Sequence, residues 1–192
     1  MRIQNGIPTG AEAQAAALYW EAFGEKLGIA MGPRKKGIAY IRRVLDPSHA
    51  ISAIDDTGNL LGVVGFKTFK GALVGGGYND LTAIYGHFGG LWRACLLSSL
   101  GRDVENKRFL IDGVFVAPQA RGQGVGSALL TAIMEEGRTR GYPSLRLEVV
   151  DKNLRAKALY ERLGFEPYRT TTLGFSKHIF KFQSATTMIK VL

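Results

Sequence analysis

The chain has little of several residue types, and each scarcity argues against a class of protein. It has one cysteine, Cys95, in 192 residues, so no intramolecular disulfide framework can form. It has three histidines, and no His/Cys/Asp spacing suggests a metal site. No apolar run reaches the length of about 18 residues that a membrane-spanning helix needs. We therefore expect no metal and no membrane partner. The first ten residues lack a signal-peptide core, which favours a cytoplasmic location.

The composition is that of a globular domain with a basic surface. Hydrophobic residues make up 46% of the chain and charged residues 21%, so we expect residues 1–192 to form one domain with a real core. The net charge of +9 favours anionic ligands and would attract nucleic acid non-specifically. The most basic stretch, Pro33–Lys36 with Arg42 and Arg43 nearby, has no nucleic-acid motif beside it. A solvated helix face is therefore favoured, and nucleic acid is not expected as a partner. Cys95, within the apolar run Leu91–Leu97, is expected to be buried.

Periodicity and turn residues predict an alternating order of helices and strands. A capping-box pattern at Thr9 and Glu12 predicts a helix to about Lys26, with Gly28 as a stop. A second helix is expected between Pro33 and Pro47. Strands are predicted at residues 2–4, 50–54, 60–69, 109–116, 144–150, 166–172 and 179–191, with a loop at 171–176. Leu81–Leu100 reads as a helix interrupted by glycines at 86, 89 and 90.

The stretch from Asp112 to Leu130 is the most informative part of the chain. It reads as an apolar strand ending at Val116, a turn with Pro118, the loop Arg121–Gly126, and then an amphipathic helix. The first N–H groups of a helix have no intrahelical partner, and the helix dipole makes that end positive. Glycines let a ligand approach this bare backbone. The pattern therefore predicts a phosphate site, with Arg121 adding a charge beside it.

Two common phosphate-binding motifs do not fit this loop. A P-loop needs a Gly-Lys pair, which the chain lacks. A dinucleotide fingerprint needs its first glycine directly after the strand and a third glycine, whereas residues 117–121 intervene here and Ser127 takes the place of that glycine.

The loop instead resembles the acetyl-CoA pyrophosphate loop of the GNAT N-acyltransferase family, whose signature is (Q/R)-x-x-G-x-(G/A). Here it reads Arg121-Gly122-Gln123-Gly124-Val125-Gly126. Downstream, the segment from Asn153 to Phe165 is similar to that family's N-x-x-A-x-x-LY-x-x-x-GF segment. Two motifs in order are more specific than either alone. The resemblance covers about Phe109 to Arg169.

The resemblance implies an α/β (α+β) fold with a mixed, largely antiparallel central sheet flanked by helices. It also implies acetyl-CoA as acyl donor, with the strand backbone pairing the pantetheine arm and the loop binding the diphosphate. The residues expected to contact the donor are Val114, Phe115, Val116, Arg121, Gly122, Gln123, Gly124, Val125, Gly126, Ser127, Asn153 and Tyr160.

Three side chains are candidates for the chemistry. By resemblance, the Tyr160 hydroxyl protonates the departing thiolate; the alternative is a core aromatic on an apolar stripe. Asp112 and Glu148 are candidate general bases, and for each the alternative is a structural ion pair, for Glu148 with Arg146 or another neighbour. Simple alternation would place Leu110, Asp112, Val114 and Val116 on one strand face and Phe109, Ile111 and Phe115 on the other.

The acceptor side carries no sharp motif. By resemblance, Trp20, Phe23 and Leu27–Gly32 border the acceptor pocket, with core packing as the alternative. Gly71–Asn106 exceeds a normal connection and is expected to be an insertion or lid that encodes acceptor specificity or a homodimer contact.

These patterns predict an N-acetyltransferase that moves an acetyl group from acetyl-CoA to the amine of a small molecule or peptide by direct attack. The acceptor is not identified. The alternatives are a non-catalytic module that binds acyl-CoA for regulation, and a basic protein associated with nucleic acid.

Overall fold

The computed structural model of the protein describes residues 1–99, 107–172 and 182–192. Its helices are α1 (Glu12–Met31), α2 (Arg34–Val44), α3 (Tyr78–Ser99), α4 (Val125–Thr139) and α5 (Leu154–Arg162). Its strands are β1 (Arg2–Asn5), β2 (Ala50–Ile54), β3 (Leu60–Thr68), β4 (Gly71–Ala72), β5 (Phe109–Val116), β6 (Ser144–Val150), β7 (Glu166–Thr172) and β8 (Ser184–Val191). Single turns of 3-10 helix lie at Pro47–His49 and Pro118–Ala120.

The strands form one sheet in the order β1-β2-β3-β5-β6-β8-β7, and β4 pairs with β3. The pair β5·β6 is parallel, and the other described strand pairs are antiparallel. Helix α4 lies on one face, where a Cβ on its Gly137 would be 3.2 Å from the ring of Phe109. Helix α1 lies on the other face, where Tyr19 and Phe23 contact Phe115. The predicted mixed, largely antiparallel sheet flanked by helices is confirmed.

The apolar residues form two clusters. The larger one surrounds the sheet and includes fully buried Phe109, Leu129, Leu145 and Phe165. The smaller one joins α1, α2 and α3, and its buried members are Ala16, Ala30, Met31, Tyr40, Ile41 and Leu81. The three helices therefore form a layer with its own core beside the α1 face of the sheet.

A β-bulge in β5 overturns the predicted division of its faces. The pairing with β3 passes from Gly65–Gly113 directly to Phe66–Ile111, which leaves Asp112 as an extra residue. Phe109 lies near α4, and so does Val116, whose Cγ2 is 4.0 Å from the Cβ position of Gly126. Simple alternation had put these two residues on opposite faces. The extra residue shifts the alternation by one. Side chains of β5 after the bulge therefore lie on the opposite face of the sheet from the one that simple alternation predicted.

Local signals also gave four wrong predictions about the helices. Helix α1 continues through Gly28 to Met31, and its N-cap is Ala11 with no side-chain cap, so neither the Gly28 stop nor the Thr9 capping box is present. Only Gly86 breaks the helical backbone of α3, with φ 74° and ψ 171°. Cys95, expected to be buried, is exposed, because its helix presents that face to solvent.

The remaining strand boundaries agree with the prediction to within a residue or two where the structure describes them. The last part of the predicted Gly71–Asn106 insertion, much of the expected 171–176 loop and the start of the expected 179–191 strand lie outside the described residues. No helix in the described ranges is long and apolar enough to cross a membrane.

Candidate functional site

The loop between β5 and α4 presents an open helix N-terminus. Gly122 and Gly124 both have φ of +83°, a conformation that costs a residue with a Cβ about 1–2 kcal/mol. Gly124 is the N-cap of α4, no side chain caps the helix, and its first turn has no acidic residue. A Cβ at Gly124 would meet nothing within 4 Å. The first N–H groups of α4 are therefore without a capping side chain, and there is open space beside the N-cap, as an anion site requires.

Two arginines flank this helix end. Arg121 donates from Nε to the carbonyl of Val116 at 3.1 Å, and its Nη2 is 3.5 Å from Glu21 of α1. Arg155, in the first turn of α5, places Nη2 3.5 Å from the Cβ position of Gly122. Arg155 was missed in the sequence, although it lies two residues after Asn153 in the second motif. The loop thus has a positive side chain on each flank.

The other predicted loop and helix-cap residues have definite places. Gln123 donates to the carbonyl of Gln119 at 2.7 Å, which folds the loop back on its turn. Val125 is buried in the core, and Ser127 lies half-buried in the first turn of α4. Asn153, expected to contact the donor, caps α5 by accepting from the Ala156 N–H at 3.1 Å.

A gap opens between β5 and β6 next to the loop. The described pairing of these strands is limited to Phe109–Leu145 and Leu110–Arg146, although β5 continues to Val116 and β6 to Val150. On its other edge, β5 stays paired with β3, and the Ala117 N–H donates to the Leu61 carbonyl at 2.8 Å. The two parallel strands therefore separate toward their carboxyl ends.

The free edge of β5 is defined by the alternation of its hydrogen bonds. Because Ala117 bonds to β3, the backbone of Phe115 also faces β3, and the N–H and C=O groups of Val114 and Val116 face the gap, where the Val116 carbonyl accepts from Arg121 Nε. Of the three strand residues predicted to pair with the donor, Val114 and Val116 have backbone groups directed into the gap. Phe115 instead contributes its ring to the packing with Tyr19 and Phe23.

Tyr160 is a buried phenol whose hydroxyl makes no hydrogen bond with a described residue. Its ring packs against Phe165 with centroids 6.0 Å apart. Its helix meets the first turn of α4, where Leu159 lies 3.2 Å from the Cβ position of Gly126. Burial raises the pKa of Tyr160 to about 12, so the phenol keeps its proton at neutral pH. It therefore has the protonation state that a general acid needs.

The two candidate bases have different surroundings. The Asp112 side chain is 10% exposed, and its Oδ1 is 2.9 Å from Lys67 Nζ. Its Oδ2 is buried with no hydrogen-bond partner. Burial raises the pKa of the Tyr19 phenol far above its ordinary value, and the negative charge of nearby Asp112 raises it further. Glu148 is 55% exposed and lies 3.3 Å from Arg146. The structure thus gives Glu148 the predicted ion pair with Arg146, and leaves one oxygen of Asp112 without a partner.

Helix α1 walls this part of β5 with aromatic rings. A Cβ on Gly113 would lie 2.7 Å from the ring of Phe23, so only glycine allows this approach. Tyr19 and Phe23 are 4.7 Å apart by ring centroid. Trp20, also expected to border the acceptor pocket, packs instead over Gly37 of α2, where a Cβ would be 2.0 Å from its ring. The Trp20 side chain therefore packs α1 closely against α2.

The described side chains include no group of three or more His, Cys, Asp or Glu that could hold a metal ion.

Comparison with known proteins identifies the family. A family model described as "Acetyltransferase (GNAT) family" matches residues 13–165, which is most of the chain. The chain belongs to the GNAT acetyltransferase family. The predicted family is thereby confirmed.

Similar proteins of known name match only part of this GNAT chain. A thialysine N-epsilon-acetyltransferase of Bos taurus is 34% identical over 79 residues, which are 41% of this chain and 45% of the relative. A streptothricin acetyltransferase of Streptomyces lavendulae is 40% identical over 60 residues, 31% of this chain and 32% of the relative. The match thus spans less than half the length of either relative.

Solved GNAT structures match the fold over the whole chain. The ribosomal-protein-alanine N-acetyltransferase of Brucella melitensis has a TM-score of 0.63 at 20% identity, and the match covers all of both chains. At that identity the likeness shows the fold alone, and the fold agrees with the architecture described above.

Proposed function

We propose that this protein transfers an acetyl group from acetyl-CoA to a primary amine by direct attack. The observation that carries the proposal is the open N-terminus of α4, formed by two left-handed glycines, beside the free edge of β5. Together these features offer N–H groups to a diphosphate, and to an extended ligand that carries amides they offer a strand edge that is not paired with β6.

In this proposal the donor is held mostly by backbone. The first turn of α4, from Gly124 to Ser127, binds the diphosphate, and Arg121 and Arg155 add charge on its two flanks. Val114, whose N–H and C=O face the gap, pairs with the amides of the pantetheine arm, which need partners once they leave water. The Val116 carbonyl is bonded to Arg121, and its N–H is left for the thioester oxygen. Asn153, the N-cap of α5 and two residues before Arg155, is also proposed to contact the donor.

The reaction needs a neutral amine. An amine with a lysine-like pKa near 10.4 has only about one molecule in 10³ deprotonated at pH 7. Asp112 is our first choice of base because its Oδ2 is buried and unpartnered while Lys67 holds Oδ1. Glu148 is the second choice, since it is largely exposed and paired with Arg146.

The remaining steps use groups already in place. The amine attacks the thioester carbonyl, the C–N bond forms, and the Val116 N–H stabilises the oxyanion. The C–S bond then breaks, and the departing thiolate takes its proton from Tyr160, whose pKa of about 12 keeps it protonated beforehand. No covalent enzyme intermediate is required, and most of the rate gain comes from positioning.

The acceptor is an amine on a small molecule or peptide. The names of the similar proteins, thialysine and streptothricin acetyltransferases, include such acceptors. The aromatic wall of Tyr19 and Phe23 beside the Asp112 carboxylate suits a protonated amine on an apolar arm. A homodimer contact and a cytoplasmic location stay predictions.

A thiol-release assay tests the proposal. The protein is incubated with acetyl-CoA and, separately, L-lysine, spermidine and an alanine-initiated tripeptide, and each product is identified by mass spectrometry. We expect amine-dependent release of coenzyme A and an N-acetylated product with at least one amine. Binding of acetyl-CoA without transfer to any amine of a wider panel would favour the regulatory module instead.

A further inference from the structure

Helix α3 packs beside the site and contains no family motif. It contacts both α1 and α2, and its Leu81 is buried in the small core that these helices share with it. The backbone break at Gly86 separates two helical pieces, and side chains from both pieces reach the end of α1.

The C-terminal end of α1 depends on α3 for its partners. The last turn of α1 has no basic residue, and within its own chain segment the cap is one bond from the Gly32 N–H to the Gly28 carbonyl. The Tyr85 hydroxyl donates to the carbonyl of Met31, and Arg93 donates from Nη2 to the carbonyl of Gly32 at 3.0 Å. Donors and a positive charge at this position stabilise a helix terminus. Helix α3 therefore caps α1 from outside.

The Arg93 guanidinium is held in place by ring stacking and hydrogen bonds. Its guanidinium lies 4.0 Å from the ring centroid of Tyr85 and 4.2 Å from that of Trp92. Nη1 donates to the carbonyl of Gly89 at 3.0 Å, and Nε is buried without a hydrogen-bond partner. Stacking on two rings and two carbonyl bonds leave this cation little freedom, so the position of Gly32 is set by α3.

The capped turn lies on the acceptor side of the site. Helix α1 crosses from β3, where Gln14 bonds to the Leu60 carbonyl at 3.3 Å, to β5, where Phe23 covers Gly113. Its path continues for two more turns, about 12 Å, beyond Phe23. Because Leu60 lies beside the carboxyl end of β5 and Gly113 lies in its middle, α1 runs along β5 toward its amino end and carries its last turns past the bulge at Asp112, the candidate base.

We propose that Tyr85 and Arg93 are positioning residues that determine which amines are accepted, because they fix the turn from Met31 to Pro33 beside the acceptor. This inference rests on the proposed acetyl transfer. It assigns α3, which the family motifs do not cover, to acceptor selectivity. The donor site, built on β5, α4 and α5, is independent of it.

The test compares Tyr85→Phe, which removes one hydroxyl, and Arg93→Met, which removes the donors and keeps an apolar stem. Arg42→Met is the matched control, since Arg42 is exposed on α2 and has no ion pair with a described residue. For each variant, kcat and KM are measured with L-lysine, spermidine and an alanine-initiated tripeptide, acetyl-CoA affinity by calorimetry, and amide exchange over residues 28–36 by mass spectrometry.

We expect Arg93→Met to change the ratio of kcat/KM between two amines by about tenfold or more and Tyr85→Phe by about threefold, since small misplacements of substrate carry large costs. Acetyl-CoA affinity should stay within about twofold, and the turn should exchange faster. Arg42→Met should match the wild type. Faster exchange with unchanged ratios, or an equal loss with every amine, would overturn the inference and leave α3 a scaffold. Absence of transfer by the wild type would overturn the proposed function, and this inference with it.

Discussion

The two sides of the site are built by different means. On the donor side, formed by β5, α4 and α5, the groups offered to a ligand are mainly backbone groups: the N–H and C=O of Val114 and the N–H groups of Val116 and the start of α4. On the acceptor side, formed by α1, α2 and α3 with the bulge of β5, the groups are side chains: Tyr19 and Phe23 of α1 and Asp112 of the bulge.

This difference explains why the sequence predicts the donor side more clearly than the acceptor side. A backbone site needs glycines and an arginine at fixed spacing, and such a pattern is visible in any sequence that has it. A side-chain site is assembled from elements that are far apart in the chain, so its residues have no fixed spacing in the sequence. The donor side should therefore tolerate few changes at its glycines, and the acceptor side should determine specificity.

Among the variants that should lower kcat without weakening acetyl-CoA binding, Tyr160→Phe is expected to have the largest effect. Loss of the hydroxyl should lower kcat by about 100-fold, the usual range for a general acid. Acetyl-CoA affinity should change little because the ring and its packing against Phe165 remain. Steady-state rates and calorimetry measure the two quantities.

Tyr142→Phe is the control for this variant, since Tyr142 stacks on Phe109 away from the loop and should keep wild-type kcat. Equal kcat for Tyr160→Phe and the wild type would remove Tyr160 from the mechanism.

The next effect distinguishes the two carboxylates. Asp112→Asn should reduce kcat by about 30-fold, whereas Glu148→Gln should reduce it by less than about threefold, because only Asp112 has a buried free oxygen. Thermal melting of both variants checks that the loss is not unfolding, since Asp112→Asn also leaves Lys67 unpaired. The reverse order of rates would assign the base to Glu148.

A pH profile tests the acid directly. An ordinary tyrosine has a pKa near 10, and burial raises that of Tyr160 to about 12. The burial of the neutral phenol therefore stabilises the fold fully below about pH 10, and this contribution is lost as the pH rises through about 12. We expect kcat/KM to rise with pH as the amine loses its proton, with no decline before about pH 10 at constant folding. A decline between pH 8 and 10 that Tyr160→Phe abolishes would contradict the raised pKa.

The smallest effect on acetyl-CoA affinity is expected for substitutions in the layer formed by α1, α2 and α3. Gly37→Ala places a Cβ 2.0 Å from the Trp20 ring and should destabilise the protein by about 1–3 kcal/mol. Gly28→Ala, in open space on α1, should stabilise it by about 0.4–1 kcal/mol. Acetyl-CoA affinity of the folded protein should be the same in both, as measured by calorimetry and denaturant unfolding. A tenfold loss of affinity in Gly37→Ala would show that the two sides are coupled.

Much of the fold could be predicted because its signals are local. The strand, the glycine loop and the helix from Phe109 to Thr139 follow from periodicity and glycine spacing, and the structure confirms them. The bulge at Asp112 could not be predicted, because it depends on how β3 and β5 align. The same holds for the Lys67–Asp112 ion pair and for the cap that Tyr85 and Arg93 provide, since each joins residues far apart in the chain.

Local sequence signals gave wrong predictions where tertiary packing had the larger effect. Gly28 did not end α1, because the helix continues to bury Ala30 and Met31 against α2 and α3. Cys95 was expected to be inside because its neighbours are apolar, but its helix carries an exposed apolar face that includes Phe88 and Leu91.

The central claim is that acetyl-CoA binds at the N-terminus of α4, and thermal melting of three proteins tests it. At a hundred times its Kd, acetyl-CoA should add about 2.7 kcal/mol and raise Tm by roughly 5–10 °C in the wild type. Gly124→Glu places a carboxylate where the diphosphate binds and should abolish this shift. Gly141→Glu, with a similarly positive φ and open space just beyond the other end of α4, should keep it. An equal shift in all three proteins, or no shift in the wild type at millimolar acetyl-CoA, would contradict the account.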